Sequence, residues 1–406
     1  AGNGYTCILT HVEDGTLTVG MKSPGTGYGT DWTGMANVHL YYLGTLEEAA
    51  EKMAAVIEGQ VARAKTLLAY EFGIGEDYVM YPNFSQALKD ELSACIAAAQ
   101  AAQTADAKYA VIGQLSNAFQ QIYDCKQAYI GMLNKIEALS AATESLYPDH
   151  ISEQEYQDVI ARQQQVWDNY LNGSVSTEEA NEIEVLKTDE DGTYIIKDNL
   201  DYACFATLTS RGNAQNANVR LEGDITYCGQ MITAFSGTLD GQFHTLTLDM
   251  QTDNEGCGMI YDLSGTIKNL ILRGKLTSSK GWTCGVAVRT WQGAYLANIE
   301  NYVEIESSMV GGASNAGFIV LNSYEIQMDN CLYAGRMTGE QSSYCAGFVG
   351  WSSNYMSMNN CLQIAKIECS EEGSDTFMRG LAFLNNCYYQ TPYGNIPGGH
   401  PTTDEQ

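Results

Sequence analysis

The alternation of hydrophobic and polar positions divides the chain into three parts. In residues 1–44, short alternating runs separated by glycines, such as Val38–Leu43, predict β-strands. Over residues 45–187 the apolar positions recur every three or four residues, which predicts amphipathic helices. From residue 188 onward, short apolar runs return between glycines and asparagines. We therefore expect a β segment, then helices, then a long β region.

Caps and helix breakers predict three to five helices in the middle part. The predicted starting positions, in order, are Thr45, Asn83 or Ser85, Asp106, Ser152, and Ser176 or Thr177. Thr45 with Glu48, and Ser152 with Glu155, have the spacing of a capping box. The third helix is expected to end before Pro148 and the last to run through Leu186. These helices predict an antiparallel bundle whose simplest role is that of a spacer.

A phrase of about thirty residues recurs in the last third of the chain, which indicates a solenoid. A glycine followed by apolar residues occurs at Gly258, Gly285, Gly317, Gly347 and Gly380, in steps of 27, 32, 30 and 33. An asparagine followed by an apolar residue or cysteine occurs at Asn269, Asn301, Asn330, Asn360 and Asn386, in steps of 32, 29, 30 and 26. The two series advance together, so each repeat is expected to be one coil of a right-handed parallel β-helix over 188–390, followed by a tail at 391–406.

Local patterns add detail to this β region. Tyr194–Ile196, Cys204–Ala206 and Val219–Ile225 are predicted as strands that lead into the coils. Asparagine at a coil corner can adopt left-handed backbone angles and hydrogen-bond the same residue of the next coil. The repeated asparagines are therefore expected to be structural.

The charge and hydropathy of the chain exclude two classes of partner. The 49 acidic and 21 basic residues give a net charge of −28, which repels nucleic acid and anionic lipid surfaces. No apolar run reaches the length of a membrane span, and residues 1–20 do not resemble a signal peptide. Because strand-like sequence begins at once, we expect the chain to be part of a longer protein.

Twelve cysteines are spread along the chain without any Cys-x-x-Cys pair, which argues against a zinc ribbon or a thioredoxin-like site. Several of them, including Cys331, Cys361 and Cys387, fall at repeat positions. Two interpretations stay open. They are small apolar fillers stacked inside the coils, or they form disulfides between adjacent coils.

Two stretches resemble known surface proteins. Phe235–Leu246 and Gly347–Gly350 resemble the parallel β-helix of bacterial surface proteins with glycine-leucine-any-glycine (GLUG) repeats. Residues 14–20, 31–33 and 37–44 resemble the closing strands of jelly-roll, galactose-binding-like modules in surface proteins of gut Bacteroidetes. The resemblance implies a cell-surface or extracellular location, with glycans or host and cell-surface proteins as partners.

Candidate catalytic residues are carboxylates and a histidine near the first coils, because β-helix hydrolases need paired carboxylates and lyases need calcium-binding acids. The residues considered are Asp240, His244, Asp249, Asp253, Glu255 and Asp262. Asp240-Gly241 is also an ordinary turn pair, and no motif of a known catalytic class is present. We assign no catalytic residue and no metal ligand, although the acidic stretch 249–255 could hold a calcium ion.

Aromatic side chains between the repeated positions are the better candidates for recognition, since rigid rings stack on sugars and form hot spots at interfaces. The predicted ligand-binding residues are Trp282, Trp291, Tyr295, Tyr324, Trp351 and Tyr355. Their alternative role is to cover the outside of the coils. The sequence thus predicts a non-enzymatic protein for adhesion or carbohydrate binding. A β-helix polysaccharide lyase or glycoside hydrolase and a purely structural stalk are the alternatives.

Overall fold

A computed structural model describes residues 16–17, 44–45, 48–69, 85–172, 179–180, 184–396 and 398–402. It contains a helical N-terminal region of about 5 helices and a parallel β-solenoid of about 7 turns over residues 194–389. The predicted combination of helices followed by a parallel β-helix is thereby confirmed. The strands predicted for residues 1–44, among them Val38–Leu43 and the galactose-binding-like segments, lie outside the described residues but for three positions.

Four long helices form the N-terminal region: α1 (Ala50–Ala69), α2 (Gln86–Ala101), α3 (Ala105–Leu146) and α4 (Glu153–Asn172). The predicted capping boxes are confirmed. The Thr45 N–H donates to Glu48 Oε2 at 2.8 Å, and the Glu48 N–H donates back to Thr45 Oγ1 at 3.3 Å. Ser152 and Glu155 exchange the same pair of bonds. None of the described helices has the length and apolar character of a membrane span.

The predicted last helix is wrong at its C-terminal end. Residues 179–180 are helical, but residues 184–186 are not. Leu186 is instead buried in the hydrophobic core of the solenoid. Its burial there, and not the continuation of a helix, explains the apolar residue at this position.

The chain forms two compact units, Ala1–Ile136 with Ala161–Ile183, and Glu137–Ile160 with Glu184–Gln406. In the first unit the apolar stripes of the helices are buried, at Met53, Leu92 and Leu115 for example. The second unit contains the solenoid and its own continuous core.

The solenoid is built from short strands. The first half has β1 (Tyr194–Ile196), β2 (Asn218–Leu221), β3 (Ile225–Cys228), β4 (Ile232–Phe235), β5 (Thr238–Asp240), β6 (Thr245–Thr252), β7 (Ile260–Leu263), β8 (Thr266–Ser278), β9 (Ala287–Thr290), β10 (Tyr295–Asn301) and β11 (Glu304–Ser307). The second half has β12 (Gly311–Gly312), β13 (Ile319–Asn322), β14 (Ile326–Asp329), β15 (Leu332–Tyr333), β16 (Arg336–Gly339), β17 (Ser342–Ser343), β18 (Val349–Asn359), β19 (Leu362–Gln363), β20 (Lys366–Cys369), β21 (Met378–Asn385), β22 (Tyr388–Tyr389) and β23 (His400–Pro401).

Successive coils pair in parallel, so equivalent side chains stack in columns inside the solenoid. One column of directly paired, mostly fully buried apolar residues passes through seven coils: Val219, Leu239, Ile267, Leu296, Met328, Met358 and Leu384. The rings of Phe318 and Phe348 stack at 4.9 Å, and those of Phe348 and Phe377 at 5.7 Å. Burial of such columns, at roughly 25 cal/mol per Å² of apolar surface, is the main stabilising term of the solenoid.

The repeated glycines permit close approach of neighbouring coils. A β-carbon on Gly317 would lie 2.3 Å from the Gly347 carbonyl oxygen, and one on Gly347 would lie 2.2 Å from that of Thr376. The assignment of Gly380 to this series is wrong. Ala346 bridges Asp375, Val349 pairs with Met378, and Gly380 pairs with Ser352, so Thr376 holds the repeat position in that coil.

The repeated asparagines form a ladder, as predicted, with one correction. Asn269, Asn298, Asn330, Asn360 and Asn386 all have φ between 53° and 54°, and each side-chain amide from Asn298 onward donates to the asparagine of the preceding coil at 2.7 to 3.0 Å. Asn269 donates in the same way to Asp240. Asn301 is not part of the ladder. It is buried, and its amide donates to the Gly317 carbonyl.

The segment Cys204–Ala206 lies in a helix, α5 (Asn199–Ser210), so its prediction as a strand is wrong. Asp198 caps this helix by accepting from the Asp201 N–H at 3.0 Å, and the Asp201 carboxylate accepts from the Lys197 N–H at 3.1 Å. The helix contacts β3 and β4, and Tyr202 and Phe205 are buried in the solenoid core. Because α5 is apolar on most sides, its short hydrophobic run has no clear helical period.

The run Val219–Ile225, predicted as one strand, is divided between two strands, β2 and β3, with residues 222–224 between them.

All eleven cysteines of the described residues are free thiols, and ten of them are buried. That is the state expected of apolar fillers.

Replacement of Asn330 by alanine should lower the free energy of unfolding by about 2 kcal/mol. The change removes two amide hydrogen bonds of the ladder. Alanine would also have to adopt a left-handed φ without the side-chain hydrogen bonds that stabilise asparagine at this angle. Urea denaturation followed by circular dichroism measures the effect. Asn330→Gly loses the same bonds but accepts the backbone angle, so its loss should be smaller. An equal or larger loss in the glycine variant would contradict the role of φ.

Stability should also depend on the titration of Asp201. Burial raises the pKa of this carboxyl from 3.8 to about 6, with a further contribution from Asp198. The folded state therefore holds a proton that the unfolded state has lost, and stability falls as pH rises from about 4 to about 6. Asp201→Asn should be about 1–2 kcal/mol more stable than wild type at pH 7, after discounting for partial solvent exposure, and no more stable below pH of about 4. Thermal melts across this range measure the difference, and a constant difference would contradict the assignment.

Candidate ligand-binding face

One face of the solenoid carries a concentration of aromatic and arginine side chains. Its strands pair in the order β4, β7, β9, β13, β18 and β21. In each of the four middle strands the first and fourth residues are buried and the third is turned outward. The outward positions form the column Asp262, Arg289, Leu321 and Trp351. We call the outward residues of this sheet and of its adjoining turns the aromatic face.

The first cluster of the face is centred on Arg289. Its Nε and Nη2 donate to the two carboxylate oxygens of Asp262, each at 2.8 Å. The guanidinium lies 4.7 Å from the ring centre of Tyr261 and 6.0 Å from that of Trp291. Trp291 Nε1 donates to Asp262 Oδ1 at 2.9 Å, and its ring lies 5.6 Å from that of Tyr324. Trp291 is 43% exposed, so one side of a fixed indole faces solvent.

The second cluster is centred on Arg379. Its guanidinium lies 4.5 Å from the ring centre of Tyr344 and 5.4 Å from that of Trp351. Nη1 donates to the carbonyl oxygens of Tyr344 and Gly350, both at 3.0 Å. Burial lowers the pKa of Arg379 from its ordinary value, although arginine stays charged at any physiological pH. Tyr344 and Trp351 are both exposed.

A third group consists of Tyr355 and Phe383, whose rings stack at 5.0 Å. Tyr355 lies where the register between β18 and β21 shifts, between Ser352 and Met356. Phe383 is 60% exposed. Phe383 pairs with Ser357, whose other neighbour is Gln327 on β14, so the pair adds apolar surface beside the face.

Buried hydrogen bonds hold the strands beneath the face in register. Thr290 Oγ1 donates to Asn322 Oδ1 at 2.7 Å, and Asn322 Nδ2 donates to Ser352 Oγ at 2.8 Å. All three side chains are almost completely buried. The exposed rings therefore stand on a rigid support, which reduces the entropy lost when a ligand binds.

Trp282 covers part of the solenoid exterior. With Tyr261 it packs against a small outer cluster formed by Cys284, Val288 and Val320. Such packing is what the alternative role, covering the outside of the coils, predicts for an aromatic residue.

Two aromatic residues of the face are held in a strained backbone conformation. The same corner of five successive coils has positive φ, at Gly256, Trp282, Ser314, Tyr344 and Gly373. Glycine accepts this angle freely, whereas a side chain costs about 1–2 kcal/mol. Trp282, Ser314 and Tyr344 therefore adopt this angle at a backbone cost that the coil corner imposes.

The structure places the six predicted ligand-binding residues as follows. Trp291 and Tyr324 form one cluster, Trp351 belongs to the second, Tyr355 to the third group, and Trp282 covers the exterior. Tyr295 lies on β10, and its hydroxyl donates to Asp329 Oδ2 at 2.7 Å, a bond that raises the pKa of Tyr295 to about 12.

Sequence reasoning missed four residues of the face, Tyr261, Arg289, Tyr344 and Arg379, and also Phe383 beside it. Each of Arg289 and Arg379 directly follows a buried apolar strand residue, Val288 or Met378, in a chain with only 21 basic residues. That pattern was the available signal.

Three of the residues considered for catalysis, Asp240, His244 and Asp262, are engaged in structural contacts. Asp240 accepts from Asn269 and lies 3.2 Å from Lys268 Nζ. Burial acts to raise its pKa, but these bonds and one from the Gln242 N–H lower it below the ordinary value. His244 pairs with Asp224 at 3.3 Å, and Asp262 is held by Arg289. Within the described part of the chain, no group of three or more His, Cys, Asp or Glu residues is arranged to hold a metal ion.

Comparisons with known proteins add one structural match. No protein-family model and no curated protein matches the chain. Among solved structures it is similar to a protein from Bacteroides ovatus described as a candidate immunoglobulin A1 protease, with 14% identity and a TM-score of 0.40. The match covers 54% of this chain and 86% of that protein. A similarity this weak indicates neither a ligand nor an activity for this chain.

Removal of the Asp262 carboxylate should loosen the first cluster. In Asp262→Ala, Arg289 loses both charged hydrogen bonds and Trp291 loses its acceptor, so we expect a loss of about 1–2 kcal/mol in the free energy of unfolding. Acrylamide quenching of tryptophan fluorescence should increase as Trp291 is released. Glu306→Ala removes the exposed ion pair with Lys275 and is the control. Unchanged quenching in Asp262→Ala would contradict the proposed anchoring of Trp291.

Proposed function

We propose that this protein is a non-enzymatic binding protein that attaches to carbohydrate through the aromatic face. The observation that supports this best is the exposure of Trp291 and Trp351, 43% and 44%. Trp291 directly follows β9 and Trp351 lies on β18, and buried hydrogen bonds hold the strands of this sheet in register. Sugar rings have apolar faces that stack on exposed indoles, and a fixed ring loses little entropy on binding.

Trp351 and Arg289 belong to one outward column, with Leu321 in the coil between them. At an inter-strand spacing of about 4.8 Å, two coils correspond to about 10 Å. The two aromatic clusters are thus separated by a distance suited to more than one sugar unit of an extended glycan.

A location at the surface of, or outside, a bacterial cell is part of the proposal. It is supported by the resemblance of Phe235–Leu246 and Gly347–Gly350 to surface proteins with GLUG repeats. The parallel β-solenoid is compatible with such a role.

Adhesion to a protein is the second candidate function. The Tyr355–Phe383 pair favours it, because Phe383 is 60% exposed and offers no polar atom to a sugar. Exposed aromatic residues beside arginine are also typical of interface hot spots. A Phe383→Ser variant that loses attachment to host cells while retaining glycan binding would support this candidate.

A β-helix polysaccharide lyase or glycoside hydrolase is not favoured by the contacts of the candidate residues. Asp240 and Asp262 are each held by a cation, and His244 is paired with Asp224. A general acid of a glycosidase needs a raised pKa, whereas the pKa of Asp240 is lowered.

A glycan-array screen tests the proposed function. The wild-type protein should bind at least one class of glycan, and Trp291→Ala and Trp351→Ala should each weaken that binding about tenfold, the equivalent of about 1.4 kcal/mol. Tyr123→Ala is the matched control, because this tyrosine is 56% exposed on α3, in the other compact unit. Full binding by both tryptophan variants would contradict the assignment of the face.

A further inference from the structure

The two arginines of the aromatic face have similar aromatic neighbours but different hydrogen-bond acceptors. Arg289 lies beside Tyr261 and Trp291, and Arg379 lies beside Tyr344 and Trp351. In both clusters a guanidinium therefore contacts a tyrosine ring and a tryptophan ring. This arrangement favours planar, bidentate recognition by arginine.

In the first cluster the protein itself provides the carboxylate that binds the arginine. Asp262 presents both carboxylate oxygens to Nε and Nη2 of Arg289 at 2.8 Å, and it also accepts from Trp291 Nε1. This pair is an internal example of a carboxylate seated against an arginine and two aromatic rings.

The second cluster lacks that carboxylate. Arg379 forms no ion pair with any acidic residue in the part of the chain that the structure describes. The one acidic residue that acts to raise the pKa of Arg379 is Asp375, and Asn395 hydrogen-bonds its carboxylate. In a protein with 49 acidic and only 21 basic residues, an arginine without a carboxylate partner on an aromatic surface needs an explanation.

The orientation of Arg379 is fixed before any ligand binds. Nη1 donates to the carbonyl oxygens of Tyr344 and Gly350, which leaves the donors of Nε and Nη2 for another acceptor. These are the same two atoms with which Arg289 holds Asp262.

Tyr344 is held in place beside Arg379 at a backbone cost. Its φ is +62°, and a β-carbon on Gly373 in the next coil would lie 2.3 Å from the tyrosine ring. The glycine thus provides the space that the ring occupies. The position of the Tyr344 ring in the second cluster thus depends on two successive coils.

We propose that Arg379, together with Tyr344 and Trp351, binds the carboxylate of an acidic sugar, of the uronic acid or sialic acid type. The ligand carboxylate takes the place at Arg379 that Asp262 takes at Arg289, and the sugar ring contacts the exposed aromatic rings. A sugar is favoured over an acidic peptide because both flanking groups are flat exposed rings. This inference rests on the proposed carbohydrate-binding function and specifies its ligand.

The test compares ligand pairs that differ in the carboxylate. Titration calorimetry would be carried out with an oligosaccharide of galacturonic acid and its methyl ester, and with a sialylated oligosaccharide and its desialylated form. The wild-type protein should prefer the carboxylated member of at least one pair, and the pair identifies the type of acid. Arg379→Gln should weaken binding of that member about 10- to 100-fold and leave the neutral member unchanged.

Two further variants keep the result interpretable. Arg379→Lys retains the charge but not the bidentate geometry, so it should fall between wild type and Arg379→Gln. Arg336→Gln, which removes an arginine paired with Glu368 on another strand, should retain the full preference. Thermal melts show whether each variant is folded, and Arg379→Lys carries the test if the glutamine variant is not.

The outcomes separate the inference from the function on which it rests. Glycan binding without preference for the carboxylate, or with a preference that Arg379→Gln retains, overturns the inference and leaves the proposed function standing. No binding to any glycan overturns both. Arg379-dependent binding of an acidic peptide, with no binding of the acidic sugars, overturns the assignment to a sugar.

Discussion

The close approach of one coil to the next is the interaction on which the whole solenoid depends. Parallel pairing of each strand with its equivalent in the next coil satisfies the backbone hydrogen bonds and stacks like side chains on each other. Gly317 and Gly347 permit this approach because a β-carbon would meet the carbonyl of the following coil. At the corner of each coil, the asparagines of the ladder adopt a left-handed φ, and their side-chain amides hydrogen-bond neighbouring coils to each other.

In-register stacking inside the solenoid also determines what stands outside it. Once Thr290, Asn322 and Ser352 are aligned by hydrogen bonds, the outward residues before them are aligned as well. Residues far apart in sequence then form a continuous surface on a rigid support. A ligand that spans several coils meets groups already in position, so little of its binding energy is lost to ordering the protein.

The aromatic face contains one arginine that is paired with a carboxylate of the protein and one that is not. Arg289 is paired within the protein, and its charge is neutralised by Asp262. Arg379 is oriented by carbonyl groups, which fix its position without neutralising its charge. The two clusters thus differ in whether a carboxylate neutralises the arginine, and a carboxylate is the group that a ligand would provide.

The sequence by itself determined the order of helices and solenoid, the helix caps and the approximate repeat, because these depend on contacts within a few residues or on a regular period. It assigned Asn301 and Gly380 to the wrong series of repeated residues. An insertion or a bulge in a coil shifts the pairing, so the residue that matches the repeat in sequence is no longer the one that occupies the repeated position. The helix around Phe205 escaped detection because it is buried on most sides and shows no polar face. It identified Trp291 and Trp351 as ligand-binding candidates, but not Arg289 or Arg379. Only the tertiary structure placed those arginines between aromatic rings, because these contacts join residues from different coils, and their pairing depends on registers that no single stretch of sequence contains.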